Sequence, residues 1–108
     1  MNGMEIDGDT IVWKSTPELY EAEARGDKDN TVRFLPVHGR ERRCLVAAWD
    51  HLTKIKIVEV GGQRSFTRTL TSMFTRPHKC PLYEGDMLVQ VQCYIFSWDH
   101  PEAGHGQA

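Results

Sequence analysis

A chain of 108 residues is about one small domain, so fold and function must share a single core. Its hydrophobic content of 40% and charged content of 26% match ordinary soluble domains and suggest neither disorder nor membrane residence. Fifteen acids against 13 bases exclude the strong global field behind non-specific nucleic-acid binding, so any such contact must be local.

Residues 1–9 are polar and glycine-bearing and read as a flexible start before a short strand at 10–13. The helix signal that follows is strong. Thr16 can cap, Pro17 suits the first helical position, Glu18 and Glu21 favour the positive end, and Gly26 supplies a left-handed stop, predicting a helix over Pro17–Arg25. Residues 31–37, TVRFLPV, combine β-branched and aromatic residues and predict a strand ended by Pro36. In residues 41–52, Cys44, Leu45, Ala48, Trp49 and Leu52 recur at helical spacing with arginines on the other face, predicting a second helix.

Residues 53–60, the Gly61-Gly62 pair and residues 64–72 read as a β-hairpin. Two prolines and a Gly-Asp pair make residues 74–86 a predicted loop, and the alternation in MLVQVQCYIFSW predicts a last long strand. Residues 99–108 read as a flexible tail. The domain is therefore expected over residues 10–98, as an α+β fold whose small, mostly antiparallel sheet curls around a core with two helices closing one side.

No apolar run approaches the ~20 residues of a membrane helix, and the N-terminus is polar and acidic where a signal peptide would be basic and then apolar. A cytoplasmic protein with no membrane partner is expected. Cys44, Cys80 and Cys93 are an odd, scattered set, which fits reduced thiols. His78, Cys80, Cys93 and His100 hold metal-capable atoms but lack paired ligand spacing, so neither a metal nor a cofactor is expected.

The densest run of chemically able side chains is GDKDNTVR, residues 26–33. Strand alternation sends Thr31 and Arg33 to one side, and Lys28 in the bend can turn toward them. Two chemistries suit that set. Lys28 could take the proton of the Thr31 hydroxyl as it attacks a carbonyl, or Lys28 and Arg33 could bind a phosphate or base edge while Thr31 orients them. The ordinary alternative is a surface loop in which Lys28 pairs with Asp27 or Asp29.

The spacing Gly26-x-Lys28-x-x-Thr31-x-Arg33 resembles the signature of the ASCH domains, a branch of the PUA-like superfamily. The stretch from Trp13 to Arg33, the SFTR at residues 65–68 and the closing Phe96-Ser97-Trp98 are also similar to short phage and prophage proteins carrying G-x-K-x-N-T-x-R. The resemblance implies a small PUA-like barrel, a cleft beside the motif, and binding of RNA or of a nucleoside or nucleotide. Gly26, Lys28, Asn30, Thr31 and Arg33 would form that cleft, flanked by Arg68 and Trp13. Acetylcytidine amidohydrolases share the motif, which implies Thr31 as nucleophile and Lys28 as base for an enzymatic alternative. Their third member, a glutamate in a later helix, has no counterpart here, and Glu59 and Glu84 are candidates by guess alone. A third reading is an accessory protein that binds a host protein.

Overall fold

The computed structural model describes residues 3–84 and 87–99, with the side chains of residues 77–89 outside that description. Its elements run β1 (Glu5–Asp7), β2 (Thr10–Ser15), α1 (Pro17–Arg25), β3 (Asn30–Pro36), α2 (Arg40–Ala48), a 3-10 turn (Trp49–His51), β4 (Lys54–Glu59), β5 (Ser65–Glu84) and β6 (Met87–Trp98). The strands form one six-stranded sheet in the order β1-β2-β4-β5-β6-β3.

Alternation explains the packing. Ile11, Trp13 and Ser15 on β2, Ile55 and Ile57 on β4, Tyr94, Phe96 and Trp98 on β6, and Thr31 and Leu35 on β3 are all buried. β2 and β6 are separated by β4 and β5, about 14 Å across a flat sheet, yet the Trp13 and Phe96 ring centroids lie 5.6 Å apart. The sheet therefore curls into a half-barrel with its aromatic core on the concave side. Tyr20 of α1 and Leu45 of α2 join that core, so both helices close the same side. Each such large side chain contributes about 1.5–3 kcal/mol by leaving water.

Four departures from the sequence reading have physical causes. The sheet is mostly antiparallel, as expected, in four of its five described pairings, but it is mixed: β2 and β4 run parallel, because α1, β3 and α2 form a connection long enough to bring the chain back in the same direction. Within the expected flexible start, residues 5–7 form β1, held by antiparallel pairing with β2. The second helix ends at Ala48 and tightens into the 3-10 turn, leaving Cys44 exposed and Leu45 buried. Finally, β5 runs through most of the expected loop to Glu84. Its pairing with β4 stops at Thr69, so beyond that point it is an edge, the setting in which a strand tolerates proline. The tail expected at 99–108 lies outside the described residues apart from Asp99, whose N–H donates to the Thr69 carbonyl.

Candidate functional site at the polar end of the half-barrel

Local chemistry delivers the motif to one end of the concave side. Thr16 takes the extended conformation at the start of α1 but its hydroxyl makes no cap bond; Pro17 occupies the first turn. Gly26 ends the helix at φ 90°, a conformation that a β-carbon would strain, and its N–H reaches the Glu23 carbonyl. The Lys28 N–H then donates to the Ala22 carbonyl at 3.1 Å and the Trp98 N–H to the Asp29 carbonyl at 3.0 Å. These bonds pin the bend between α1 and the start of β3.

The side chains converge on Glu23, which is fully buried. Its carboxylate accepts a hydrogen bond from the Ser15 hydroxyl at 2.9 Å and faces the Lys28 ammonium at 3.5 Å. Lys28 also donates to the Asn30 carbonyl. Arg33 spends its donors inward: Nε to the Thr31 hydroxyl oxygen at 2.9 Å, Nη1 to the Lys14 carbonyl at 2.9 Å and Nη2 to the Ser15 hydroxyl at 3.0 Å. Its guanidinium lies 4.9 Å from the centroid of the Trp13 ring. Burial pushes the Arg33 pKa down while the charge of Glu23 opposes the shift. The guanidinium thus ties edge strand β3 to β2, across the open side of the half-barrel.

Arg33 meets Thr31 directly, and Lys28 joins them only through Glu23 and Ser15; Lys28 also meets the Asn30 backbone, while Gly26 serves as the helix stop. Thr31 is 3% exposed, and its hydroxyl pairs with Arg33 rather than with Lys28. The Asn30 amide reaches only its neighbour Asp29, at 3.4 Å. Trp13 is wholly within the core beneath Arg33. Arg68 stands apart on β5, its guanidinium 4.5 Å from the Phe66 ring centroid; Phe66 in turn lies 6.1 Å from Trp98. Glu59 is engaged by a two-bond contact with Arg64, both at 3.0 Å, and the side chain of Glu84 lies outside the described residues. Asp27 pairs with Arg25 at 2.8 Å, so the acid that Lys28 meets is neither of its sequence neighbours.

Sequence reasoning passed over Glu23 and Ser15. The signal was present in spacing: Tyr20 and Glu23 stand three apart on the helix face that meets the core, and Ser15 continues the period-two series Ile11, Trp13.

No family model, curated protein or solved structure matches the chain. Among the described residues no group of three His, Cys, Asp or Glu side chains is placed to hold a metal ion. A groove of about 510 Å³ lies elsewhere, between β1 and α2, and is lined by residues including Ile6, Asp7, Arg40 and Cys44. It contains none of the motif residues, so the chemistry and this groove are separate features.

Proposed function

We propose that the protein is an ASCH-type, PUA-like binding module for RNA or a nucleotide-like ligand, which docks its anionic group at the polar end of the half-barrel. The observation that carries this reading is the charge arithmetic around Glu23: two cations, Lys28 and Arg33, meet one buried carboxylate, leaving one positive charge in excess. A desolvated excess cation favours an anion. Arg68 over Phe66 adds an aromatic-plus-cation surface of the kind that stacks on a base. Calorimetric titration with nucleoside monophosphates and a short RNA, between about 50 and 200 mM salt, tests it. Affinity should fall with salt and should weaken in Lys28→Ala. Binding that ignores both changes would refute this site.

One observation favours the second reading, a small amidohydrolase acting on an acylated nucleoside. Glu23, 3.5 Å from Lys28, supplies a carboxylate partner that the chain otherwise lacked. Thr31 would attack and Lys28 would take its proton. Against it stands the buried Thr31 hydroxyl, turned to Arg33. Incubation with acetylcytidine and related acylated nucleosides, followed by mass spectrometry, decides: turnover lost in Thr31→Ala supports this chemistry, and turnover retained in that variant excludes Thr31 as nucleophile.

A further inference from the structure

Both helices bury their inward residues in the concave core, so neither covers the convex face of the sheet. Strand register shows what that face carries. Lys14 on β2 points outward, alternating with buried Trp13 and Ser15; Lys54 lies between Thr10 and Thr69, and Lys56 between Val12 and Thr67. Beyond the irregularity at Leu70–Ser72, the outward row is Phe74 on β5, Ile95 on β6 and Val32 on β3, and Arg76 follows Phe74. Phe74 is 48% exposed and Val32 44%. The Arg76 guanidinium lies 5.8 Å from the Phe74 ring centroid.

Among the described residues no ion pair engages Lys14, Lys54, Lys56 or Arg76. The outward acids Glu5 and Asp7 stand on edge strand β1, and Asp9, which flanks Lys54, is held by hydrogen bonds from Thr53 and Thr10 and drawn more weakly by the charge of Lys54. A chain with a slight net negative charge thus presents a convex face whose central strands carry lysines, hydroxyls, an exposed aromatic ring and an arginine.

We infer that this convex face is a docking surface for single-stranded RNA. Lys14, Lys54 and Lys56 take the phosphates, and Phe74 with Arg76 provides a platform for a base, as sequence-tolerant single-strand binders do. Hydroxyls of Thr67, Thr69 and Ser72 lie along β5 between the two regions, where they can meet ribose 2′-hydroxyls. From Thr69, beside Lys54, to Phe74 is four register steps across the Leu70–Ser72 irregularity, about 13 Å at ~3.3 Å per residue, a short reach at the low end of single-strand site sizes, about four nucleotides. The inference takes its ligand class from the reading above but uses different residues on the opposite side of the sheet.

The test is fluorescence anisotropy with a single-stranded RNA of about a dozen nucleotides and a DNA of the same sequence. It compares wild type with Lys54→Ala/Lys56→Ala, Phe74→Ala and Lys28→Ala, each checked for an unchanged circular dichroism spectrum. Removing two phosphate contacts should lower the slope of log affinity against log salt by about 1.4, at ~0.7 for each contact. Phe74→Ala should weaken binding about tenfold, within the range for one stacked base, and the DNA should bind less tightly than the RNA. Wild-type affinity in both convex-face variants would overturn the inference; if Lys28→Ala alone then weakened the RNA, the polar-end reading would survive it. Equal binding of DNA would overturn the assignment to RNA. No binding of the RNA by wild type would overturn the docking surface, while the mononucleotide titration would still report on the polar end. A nuclease-resistant protein contact that required Phe74 in the absence of RNA binding would overturn it in favour of a protein partner.

Discussion

Replacing Glu23 by glutamine is the sharpest perturbation of the polar end, because the amide keeps the volume and can still accept the Ser15 hydroxyl but carries no charge. Lys28 and Arg33 would then be left without their buried counter-charge. Breaking a fully buried ion pair costs about 3–5 kcal/mol. The Lys28 side chain is 32% exposed, so water recovers part of its solvation and about 2 kcal/mol is the expected loss. For 108 residues the unfolding entropy near the midpoint is about 0.23 kcal/mol/K, so Tm should fall by about 9 °C. Glu21→Gln is the control: Glu21 pairs with Arg64 at 2.6 Å with its side chain 44% exposed, and its loss should cost no more than about 0.5 kcal/mol, or 2 °C. Differential scanning calorimetry on both variants decides the matter. If Glu23→Gln moved Tm no further than Glu21→Gln, Glu23 would not be the centre of the network, and the charge argument for the ligand site would go with it.

Arg33→Lys should cost about 2 kcal/mol, since one ammonium cannot replace the fork that joins Thr31, Ser15 and the Lys14 carbonyl, and two hydrogen bonds at ~1 kcal/mol each are lost; a Tm within about 2 °C of wild type would show that β3 and β2 do not depend on this tie. The acid side of the stability profile should follow Glu59 and Asp9. The hydrogen bond from Arg64 holds Glu59 below its ordinary 4.5, and hydrogen bonds from Thr53 and then Thr10 hold Asp9 below its ordinary 3.8. Each group therefore contributes in full above its ordinary value, and the contribution fades as pH falls through the lower folded-state value. An NMR titration should find both inflections below those ordinary values, with Arg64→Ala returning Glu59 toward 4.5; an inflection for Glu59 that Arg64→Ala leaves in place would contradict the cause.

What the sequence made legible was local. The cap, proline and glycine signals bounded α1 at Pro17–Arg25, Gly61 at φ 76° sits in the turn of the predicted hairpin, and the alternation of Gln90 and Gln92 with Val89, Val91 and Cys93 marked β6. What it hid depends on partners distant in the chain. Residues 5–7 become a strand only because β2 lies beside them, and the prolines of β5 read as loop residues because nothing local announces that this stretch is an edge. The motif positions Lys28, Thr31 and Arg33 were legible as a group through spacing. Glu23 was not, because a glutamate on a surface-length helix is ordinarily solvated, and its burial follows from where α1 lands on the open end of the half-barrel.

The geometry also divides the labour within Gly26-x-Lys28-x-x-Thr31-x-Arg33. Gly26 serves the left-handed stop, and Arg33 spends its fork on β2 and on the Thr31 hydroxyl, so these residues act first in closing the half-barrel. Lys28 differs. An ammonium has three N–H donors, and here two acceptors, Glu23 and the Asn30 carbonyl, are matched to it. A third donor, on a side chain about one-third exposed, remains for a group arriving from solvent. The ligand-facing member of the motif is therefore Lys28, with Arg33 behind it as the fixed positive field. It follows that Lys28→Ala should reduce ligand affinity and, by leaving the buried Glu23 carboxylate without its ammonium, lower Tm by an amount comparable to Glu23→Gln, whereas Arg33→Lys should lower Tm and weaken the ligand only through the loosened seam. Measuring both quantities on both variants separates contact from support, and a Lys28→Ala that lost stability but kept affinity would reverse the two roles.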